Sequence, residues 1–406
     1  MAQNVYDMLE ARGYIAQVSH EILKDKLNNE KITFYLGIDM TGDSLTAGHF
    51  QTLMALKHLQ DAGHQLILLI GGGTTLVPDP TGKNEMRQIM SPETIQKNAE
   101  GIIKQMEKFF RFGGEDGAIM VNNADWLTKL NYIDFLRMYG PYFSINRMLN
   151  METYATRLEH GLTLLEFNYL PMQSYDFLHL YREYGCVMQC GGTDQWSNLL
   201  GGVDLIRRVE NGDAYAMTFN LLTTSDGVKM GKSVAGAVWL DAARTSPYEF
   251  YQYWRNVEDV SVEMLLKRLT MKSLEEIAEL TQEGGQALNH AKEVLAWELT
   301  NMVHGAEEAD QAQAASRALF AGQGDLEHMP TSVMSDAIGR DWLDILLDLE
   351  LIKTKSEGRR LIDQAGITIN DVKLSDPYAK AQAEDFSQGY ALLRKGKKIY
   401  HRLTLD

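Results

Sequence analysis

The segment SLTAGHFQTLMALKHLQDAGHQLILLI, residues 44–70, decides the fold that we expect for this chain. Residues 51–62 show the apolar periodicity of an amphipathic helix, and Gly63 closes that helix. Residues 66–70 are an uninterrupted apolar run, which is typical of a parallel strand covered on both faces. The segment therefore predicts a helix that leads directly into a buried strand.

Similar strand patterns lie on both sides of this segment. Residues 32–39, ITFYLGID, indicate a strand that enters a turn, and short apolar runs recur at residues 118–122 and 187–190. Helical patterns separate these runs. This alternation predicts an α/β domain with a doubly wound, Rossmann-like parallel sheet. Ligands bind such sheets beyond the carboxyl ends of the strands, so the turns that follow the strands are where we expect a site.

The remainder of the chain predicts further domains. We expect the Rossmann-like domain to occupy residues 1–225, followed by a lysine-containing loop and connection at 226–246. A helical domain is predicted at 247–325, and a Gly-rich, polar linker at 326–339. Residues 340–406 have the pattern of a small α+β module.

Charge is distributed unevenly along the chain. The net charge of −16 argues against a protein that coats nucleic acid without specificity. Residues 340–406, however, carry a net charge of +1, whereas the residues before them carry −17. The stretch RKGKKIYHR at 394–402 is basic and contains Tyr400 and His401, which favours RNA contact over a merely solvated end.

The cysteines and the apolar runs indicate the compartment. Cys186 and Cys190 fit neither a disulfide framework nor a metal knuckle, so we interpret them as small buried hydrophobes under reducing conditions. No apolar run approaches the roughly 20 residues that span a bilayer. The N-terminal residues lack a signal-peptide pattern. We therefore expect a cytoplasmic protein that does not contact membranes.

The predicted helix at 51–62 is preceded by small and polar residues. Thr46, Gly48 and His49 precede the first bulky apolar residue, and Thr41 and Ser44 add hydroxyl groups. A helix N-terminus with little side-chain bulk can bind phosphate through free backbone N–H groups. The alternative is a plain helix start that Ser44 caps, with His49 at the surface.

A second polar loop, DGVKMGKS at residues 226–233, contains Lys229 and Lys232 between glycines. It is one residue too short for a Walker A motif, and a Rossmann G-x-G-x-x-G is absent from the chain. These departures exclude a P-loop enzyme and a dinucleotide-dependent dehydrogenase. Mobile lysines suit a developing pyrophosphate charge, although the loop taken alone is better explained as a solvated surface hairpin.

A polar stripe interrupts the apolar segment NYLPMQSYDFLHLY. Tyr169, Gln173 and Asp176 lie at positions i, i+4 and i+7, which puts them on one helix face. Pro171 is tolerated only in a first helical turn, so the helix should begin near Tyr169. The stripe faces either water or a polar ligand.

Together these motifs resemble the signatures of class I aminoacyl-tRNA synthetases, usually written H-I-G-H and K-M-S-K-S. Here they stand as TAGH at 46–49 and KMGKS at 229–233. The resemblance narrows to tyrosyl-tRNA synthetases of the bacterial type. Further motifs carry it: YLGID at 35–39, DPTGK at 79–83, NADW at 123–126, QCGGTDQW at 189–196, TSPYEFYQYW at 245–254 and, in an S-four-like RNA-binding module, KSEGRRLIDQAGITIND at 355–371.

The resemblance implies a tyrosine site. By similarity, Tyr35 and Asp176 would hydrogen-bond the phenol hydroxyl, which suits a carboxylate acceptor and a second phenol. The other residues that it implies around tyrosine are Asp79, Tyr169 and Gln173 at the ammonium group, Asp39 and Gln195 near the carboxyl group, and Gln189.

The resemblance also implies an ATP site and a reaction. The tyrosine carboxylate would attack the α-phosphate of ATP and release pyrophosphate, and a tRNA(Tyr) ribose hydroxyl would then accept the tyrosyl group. The residues implied near adenosine are Gly37, Gly48, His49, Thr52, Gly192, Asp194 and Lys232. Those implied in catalysis at the phosphates are Thr41, Thr46, His49, Lys83, Arg87, Lys229 and Lys232.

The resemblance also implies binding partners, and two positions differ from the usual motifs. Mg²⁺ would accompany ATP through phosphate oxygens, without a dedicated protein metal site. The resemblance implies a homodimer in which the helical domain and residues 340–406 contact tRNA; no DNA partner is expected. Thr46 replaces the first histidine of the usual motif, and Gly231 replaces a serine, which should loosen the loop. An RNA-binding relic, another adenylating enzyme and a tryptophan-specific enzyme remain as alternatives.

Overall fold

The computed structural model describes residues 4–83, 85–86, 89–227, 229–233, 236–282, 285–320, 330–370, 372–396 and 399–405. They form two compact units. The first comprises residues 1–231 and 263–279, and the second comprises residues 232–262 and 280–406.

The first unit is built on a six-stranded sheet. Its strands are β1 (Ile15–Val18), β2 (Thr33–Ile38), β3 (Gln65–Ile70), β4 (Ile119–Asn122), β5 (Cys186–Gly192) and β6 (Tyr215–Phe219), in the order β1-β6-β5-β2-β3-β4. All pairings are parallel except that of β1 with β6. The predicted doubly wound parallel sheet is confirmed, with an antiparallel edge strand added.

Eleven helices of the described N-terminal residues connect these strands. They are α1 (Val5–Ala11), α2 (Ile22–Asn29), α3 (Phe50–Asp61), α4 (Pro92–Met106), α5 (Ala124–Leu127), α6 (Tyr132–Tyr139), α7 (Ile145–Leu149), α8 (Glu152–His160), α9 (Leu164–Phe167), α10 (Tyr169–Tyr184) and α11 (Trp196–Glu210). The predicted helix at 51–62 is α3, and α10 begins at Tyr169 as Pro171 requires.

The strand order sets the position of a site. β3 and β4 follow β2 on one side, whereas β5 and β6 lie on its other side, so the topology reverses between β2 and β5. Tyr35 on β2 is paired with Gln189 on β5, and Leu36 with Cys190. The carboxyl ends of β2 and β5 therefore flank the crevice in which such sheets bind ligands.

The helices predicted at 247–325 divide between the two units. They are α12 (Pro247–Arg255), α13 (Val262–Leu269), α14 (Leu274–Thr281), α15 (Gln286–His304) and α16 (Ala306–Phe320). α12 packs on α15 and α16 in the second unit, whereas residues 263–279 cluster with the first. At the end of α13, the Arg12 guanidinium donates to the carbonyl oxygens of Lys267 at 2.8 Å and Thr270 at 3.2 Å, which ties this segment to residue 12 of the first unit.

The second unit also contains a short hairpin and the C-terminal module. The hairpin strands are β7 (Lys232–Ser233) and β8 (Gly236–Ala237). The module has strands β9 (Thr331–Val333), β10 (Ile367–Ile369), β11 (Val372–Lys373), β12 (Ala391–Lys395) and β13 (Ile399–Thr404), with helices α17 (Trp342–Asp348) and α18 (Lys355–Asp363).

The C-terminal sheet has the order β11-β10-β12-β13-β9 around an apolar core that includes Trp342, Ile345 and Leu393. β9 lies within the segment 326–339 that the composition suggested as a linker. It pairs in parallel with β13, which is about 70 residues away in sequence, and local composition does not report such a pairing. Within the described ranges, no helix combines the length and the apolarity that a bilayer span requires.

Candidate active site

One cavity gathers most of the predicted site residues at the carboxyl ends of β2, β3 and β5. Its volume is about 430 Å³. The predicted residues that line it are Tyr35, Gly37, Asp39, Thr41, Thr46, Gly48, His49, Thr52, Asp79, Tyr169, Gln173, Asp176, Gln189, Gly192, Asp194, Gln195 and Lys229. Lys83 is described but is not part of this lining. Arg87 and the side chain of Lys232 lie outside the described residues.

Asp176 is the most deeply buried acid of the cavity. Only 1% of it is exposed, and its carboxylate accepts hydrogen bonds from Asn123 Nδ2 at 2.9 Å and Trp126 Nε1 at 2.7 Å. Burial raises the pKa of Asp176 to about 7, although both hydrogen bonds favour the charged form and counteract the rise. The carboxylate is therefore held by two donors in a position where its charge is costly.

Three buried side-chain oxygens of the cavity have no hydrogen-bond partner among the described residues: Tyr35 Oη, Gln173 Oε1 and Gln189 Oε1. Tyr35 is fully buried, and burial together with the Asp176 charge raises its pKa well above the usual value. Buried polar groups are normally paired, because leaving one unpaired costs free energy. Their presence in one cavity points to a polar ligand that completes them.

Two further carboxylates lie at the opposite end of the polar stripe. Asp39 accepts hydrogen bonds from Tyr169 Oη at 2.9 Å and from Thr74 Oγ1 at 2.8 Å. Asp79 is 6% exposed and accepts from Gln195 Nε2 at 2.9 Å. With Asp176, they make the cavity acidic, which favours a cationic group on the ligand.

Thr46, and not Ser44, is the N-cap residue of the short 3-10 turn Ala47–His49, which leads into α3 at the rim of the cavity. Ser44 donates instead to the Leu45 carbonyl at 2.9 Å. The Thr46 N–H donates to His49 Nδ1 at 3.0 Å, and Thr46 Oγ1 lies 3.1 Å from the same nitrogen. Because Nδ1 accepts from a backbone N–H, a neutral His49 carries its proton on Nε2 and can donate it to a ligand.

The lysine loop within the first unit is a hairpin that lies against this helix N-terminus. Thr223 and Lys229 form an antiparallel bridge, and the Met230 N–H donates to the Leu222 carbonyl at 2.8 Å. Lys229 Nζ stands 3.9 Å from Asp194 Oδ2. A Cβ on Gly48 would lie 3.1 Å from the Met230 carbonyl oxygen, so a larger residue at that position would press on the loop.

Three residues of the site were not among those predicted from the sequence: Thr74, Asn123 and Trp126. Asn123 Nδ2 also contacts Thr74 Oγ1 at 3.0 Å, and its Oδ1 accepts from the Gly73 N–H at 2.7 Å. A signal for them was available. They lie in the GGGTT and NADW turns, which follow β3 and β4 at the carboxyl edge of the sheet.

Comparison with known proteins decides the family. A family model for class I tRNA synthetases (W and Y) matches residues 27–321, and one for a tyrosine--tRNA ligase SYY-like C-terminal domain matches residues 322–403. A tyrosine--tRNA ligase of Lachnoclostridium phytofermentans is 54% identical over 406 residues, covering 99% of both chains. That of Clostridium tetani is 50% identical and covers 100% of both.

The chain belongs to the class I tyrosyl-tRNA synthetase family.

Solved structures of this family share the fold. A C-terminally truncated mitochondrial tyrosyl-tRNA synthetase of Aspergillus nidulans superimposes with a TM-score of 0.70 and 29% identity, covering 78% of this chain and 94% of that one. A tyrosyl-tRNA synthetase of Archaeoglobus fulgidus, complexed with L-tyrosine, gives a TM-score of 0.57 at 21% identity, covering 77% of this chain and 100% of that one. The second likeness concerns the fold alone.

Proposed function

We propose that this chain is a tyrosine--tRNA ligase that activates L-tyrosine with ATP, releases pyrophosphate and transfers the tyrosyl group to the 3′ end of tRNA(Tyr). Family membership and full-length identity to tyrosine--tRNA ligases support the reaction. The observation that carries the choice of amino acid is the buried, unpartnered Tyr35 Oη in the same cavity as Asp176.

The phenol hydroxyl is read by Tyr35 and Asp176. The ionised Asp176 accepts a hydrogen bond from the phenol O–H, and Tyr35 Oη donates to or accepts from the same phenol oxygen. Phenylalanine would leave both groups buried and unpaired, which penalises it relative to tyrosine. Tryptophan is disfavoured because an indole has one N–H donor and no acceptor for the Tyr35 hydroxyl.

The amino-acid backbone binds at the other end of the stripe. Asp79, Tyr169 and Gln173 hold the ammonium group. Tyr169 and Gln173 present oxygen acceptors to it, and Asp79 adds a negative charge. Asp39 and Gln195 orient the carboxyl group. Gln189 Oε1 gains a hydrogen-bond partner from tyrosine or from a water molecule that binds with tyrosine. This leaves the carboxylate facing the nucleotide end of the cavity.

Catalysis is orientation together with stabilisation of charge on the leaving phosphates, because the nucleophile is the substrate carboxylate itself. His49 Nε2–H, Thr46 and Lys229 donate to phosphate oxygens at the capped helix N-terminus. The remaining residues assigned to phosphates are Thr41, Lys83, Arg87 and Lys232, and those assigned to adenosine are Gly37, Gly48, Thr52, Gly192 and Asp194.

Mg²⁺ enters with ATP, bound through phosphate oxygens. The described residues hold no group of three or more His, Cys, Asp or Glu side chains that could ligate a metal ion. The proposed location of the reaction is the cytoplasm.

The C-terminal module is the proposed contact for the tRNA arm. On its surface Tyr378 is 67% exposed, and the Arg359 guanidinium lies 5.9 Å from the centre of its ring. Exposed aromatic rings beside arginines suit RNA, because bases stack on the rings and phosphates pair with the cations.

The proposed assembly is a homodimer. Between residues 132 and 165, on α6–α9, the following large apolar side chains are exposed: Tyr132, Ile133, Leu136, Met138, Ile145, Leu158, Leu164 and Leu165. Such a concentration of exposed apolar residues is typical of an interaction surface. Sedimentation should give a dimer for the native chain and a monomer for Leu164→Asp. The control variant Val260→Asp, outside residues 132–165, should remain a dimer. A monomeric native chain would contradict the proposed homodimer.

The amino-acid assignment is tested by calorimetric titration of tyrosine and phenylalanine. We expect the native chain to bind tyrosine and to bind phenylalanine far more weakly. Tyr35→Phe should lower the affinity for tyrosine, whereas Tyr215→Phe, on β6 outside the cavity, should not. Equal affinities of the native chain for the two amino acids would contradict the assignment.

A further inference from the structure

The two donors that hold Asp176 are themselves held by different means. Asn123 is 1% exposed and is fixed by hydrogen bonds to Thr74 Oγ1 and from the Gly73 N–H. Trp126 is half-buried and lies on α5, a four-residue helix with no fully buried residue. Its indole therefore depends on side-chain packing for its orientation.

His179 supplies a face for that indole. The Trp126 and His179 rings are stacked with centroids 4.1 Å apart and an interplanar angle of 23°. His179 and Asp176 lie on α10 at positions i+3 and i, so the helix that carries the acid also carries the residue that stacks on its donor. The Trp126 indole therefore contacts α10 twice: it stacks on the His179 ring, and its Nε1–H donates a 2.7 Å hydrogen bond to the Asp176 carboxylate.

A cavity beside the stacked rings offers the indole an alternative position. Trp126 and His179 both line a second cavity of about 560 Å³, next to the edge strand β4. Without the imidazole the indole would gain room in this cavity, whose lining does not include Asp176. A rotation into that space would withdraw Nε1–H from the Asp176 carboxylate while leaving Asn123 in place.

We propose that His179 is a positioning residue for tyrosine recognition, acting through Trp126 on Asp176. The inference rests on the proposed function, because it gives Asp176 the task of binding the phenol. His179 itself does not line the substrate cavity. Its contribution is to keep one Asp176 oxygen occupied by the indole, so that the carboxylate presents a fixed lone pair to the ligand hydroxyl.

The effect on substrates should be selective. A carboxylate that loses one of its two fixed donors binds the phenol hydroxyl less well, but phenylalanine has no hydroxyl to lose. His179→Ala should therefore raise the tyrosine KM in pyrophosphate exchange by up to about tenfold, the cost of one charge-assisted hydrogen bond, with little change in kcat. The KM for phenylalanine, where measurable, and the KM for ATP should stay within about twofold.

Three variants of the full chain test this. His179→Ala removes the stack, His179→Phe keeps an aromatic face, and Trp126→Phe keeps the ring but removes the N–H donor. We expect His179→Phe to restore the native tyrosine KM. We also expect His179→Ala to add less than about twofold in the Trp126→Phe background, because both changes break the same link. Additive effects, or equal effects of His179→Ala and His179→Phe, would overturn the proposal.

An NMR readout separates this inference from the proposed function. The chain has six tryptophans, so ¹⁵N-tryptophan labelling gives six indole N–H signals, and Trp126→Phe identifies the one that bonds Asp176. Exchange of that indole N–H with solvent should become faster in His179→Ala, because its hydrogen bond to Asp176 is lost, and should stay near the native rate in His179→Phe. If the native chain bound no tyrosine, the proposed function would fall, and the indole signal would still decide whether His179 positions Trp126. A native exchange rate of this N–H in His179→Ala would refute the positioning.

Discussion

The backbones of Gly231 and Gly48 are in direct contact. A Cβ added to Gly231 would stand 2.6 Å from the Gly48 backbone nitrogen, a separation that real Cβ atoms do not show. Gly231 also has a φ of +98°, which disfavours residues with a side chain. The sequence suggested that glycine here loosens the lysine loop. The geometry gives it a further role, since it lets the loop pack on the helix N-terminus beside the proposed phosphate site.

Gly231→Ala should therefore impair activation more than a loss of loop freedom explains. Gly227 is a matched control on the same loop, because its φ is +77° and a Cβ there would meet nothing within 4 Å. We expect Gly231→Ala to lower the pyrophosphate-exchange rate by about tenfold or more, and Gly227→Ala to lower it much less. Tyrosine affinity should be unchanged in both. Equal rates for the two variants would show that the contact is unimportant.

Thr46 should matter through its hydroxyl. Its Oγ1 lies 3.1 Å from His49 Nδ1 beside the proposed phosphate site, so Thr46→Ala removes one donor to a phosphate oxygen, whereas the backbone N–H that donates to Nδ1 remains. We expect Thr46→Ala to reduce the rate of tyrosyl-adenylate formation by about tenfold, the cost of one hydrogen bond to a charged group. Thr46→Ser keeps the hydroxyl and should restore most of the rate. Rapid-quench measurement of the activation step with Thr46→Ala at the native rate would remove Thr46 from the mechanism.

The buried Asp176 predicts a pH-dependent stability. Its pKa is raised to about 7 in the folded chain, so between its unfolded value and pH 7 the folded state binds the extra proton. Stability from this group is present at low pH and is lost as the pH rises toward 7. In urea titrations, the free energy of unfolding of the native chain should fall by about 3 kcal/mol more between pH 5 and pH 8 than that of Asp176→Asn. Parallel losses in the two proteins would show that Asp176 titrates normally.

The uneven charge predicts that salt separates the two substrates. The residues before 340 carry −17, and those from 340 onward carry +1, so RNA contact depends on a limited basic surface. Raising salt from 50 to 200 mM should increase the KM for tRNA by about tenfold or more, because bound counterions are released on binding. The tyrosine KM in pyrophosphate exchange should hardly change. A KM for tRNA that is independent of salt would contradict electrostatic recognition.

Local patterns predicted the parts of the site that lie within one element. The i, i+4, i+7 spacing of Tyr169, Gln173 and Asp176 fixes one helix face, and Pro171 fixes where α10 begins, so both were predictable. The parallel sheet followed from apolar runs that separate helices. The residues that line its carboxyl edge then meet in one cavity because the strand order reverses there.

The rest depended on contacts between residues far apart in sequence. The donors to Asp176 come from positions about 50 residues earlier, and only the pairing of β4 with β3 brings them near α10. The cap at Thr46 was not distinguishable from one at Ser44, because both hydroxyls precede the helix. The parallel partner of β9 lies about 70 residues away, so its composition resembled a linker. Tertiary pairing overrides local preference in each case.

Tyrosine-dependent exchange of pyrophosphate into ATP, with phenylalanine and tryptophan in parallel, tests the central claim most directly. We predict rapid exchange with tyrosine and exchange near background with the other two amino acids, because Tyr35 and Asp176 are satisfied only by a phenol hydroxyl. Exchange that is as fast with phenylalanine or tryptophan, or absent with all three, would contradict it.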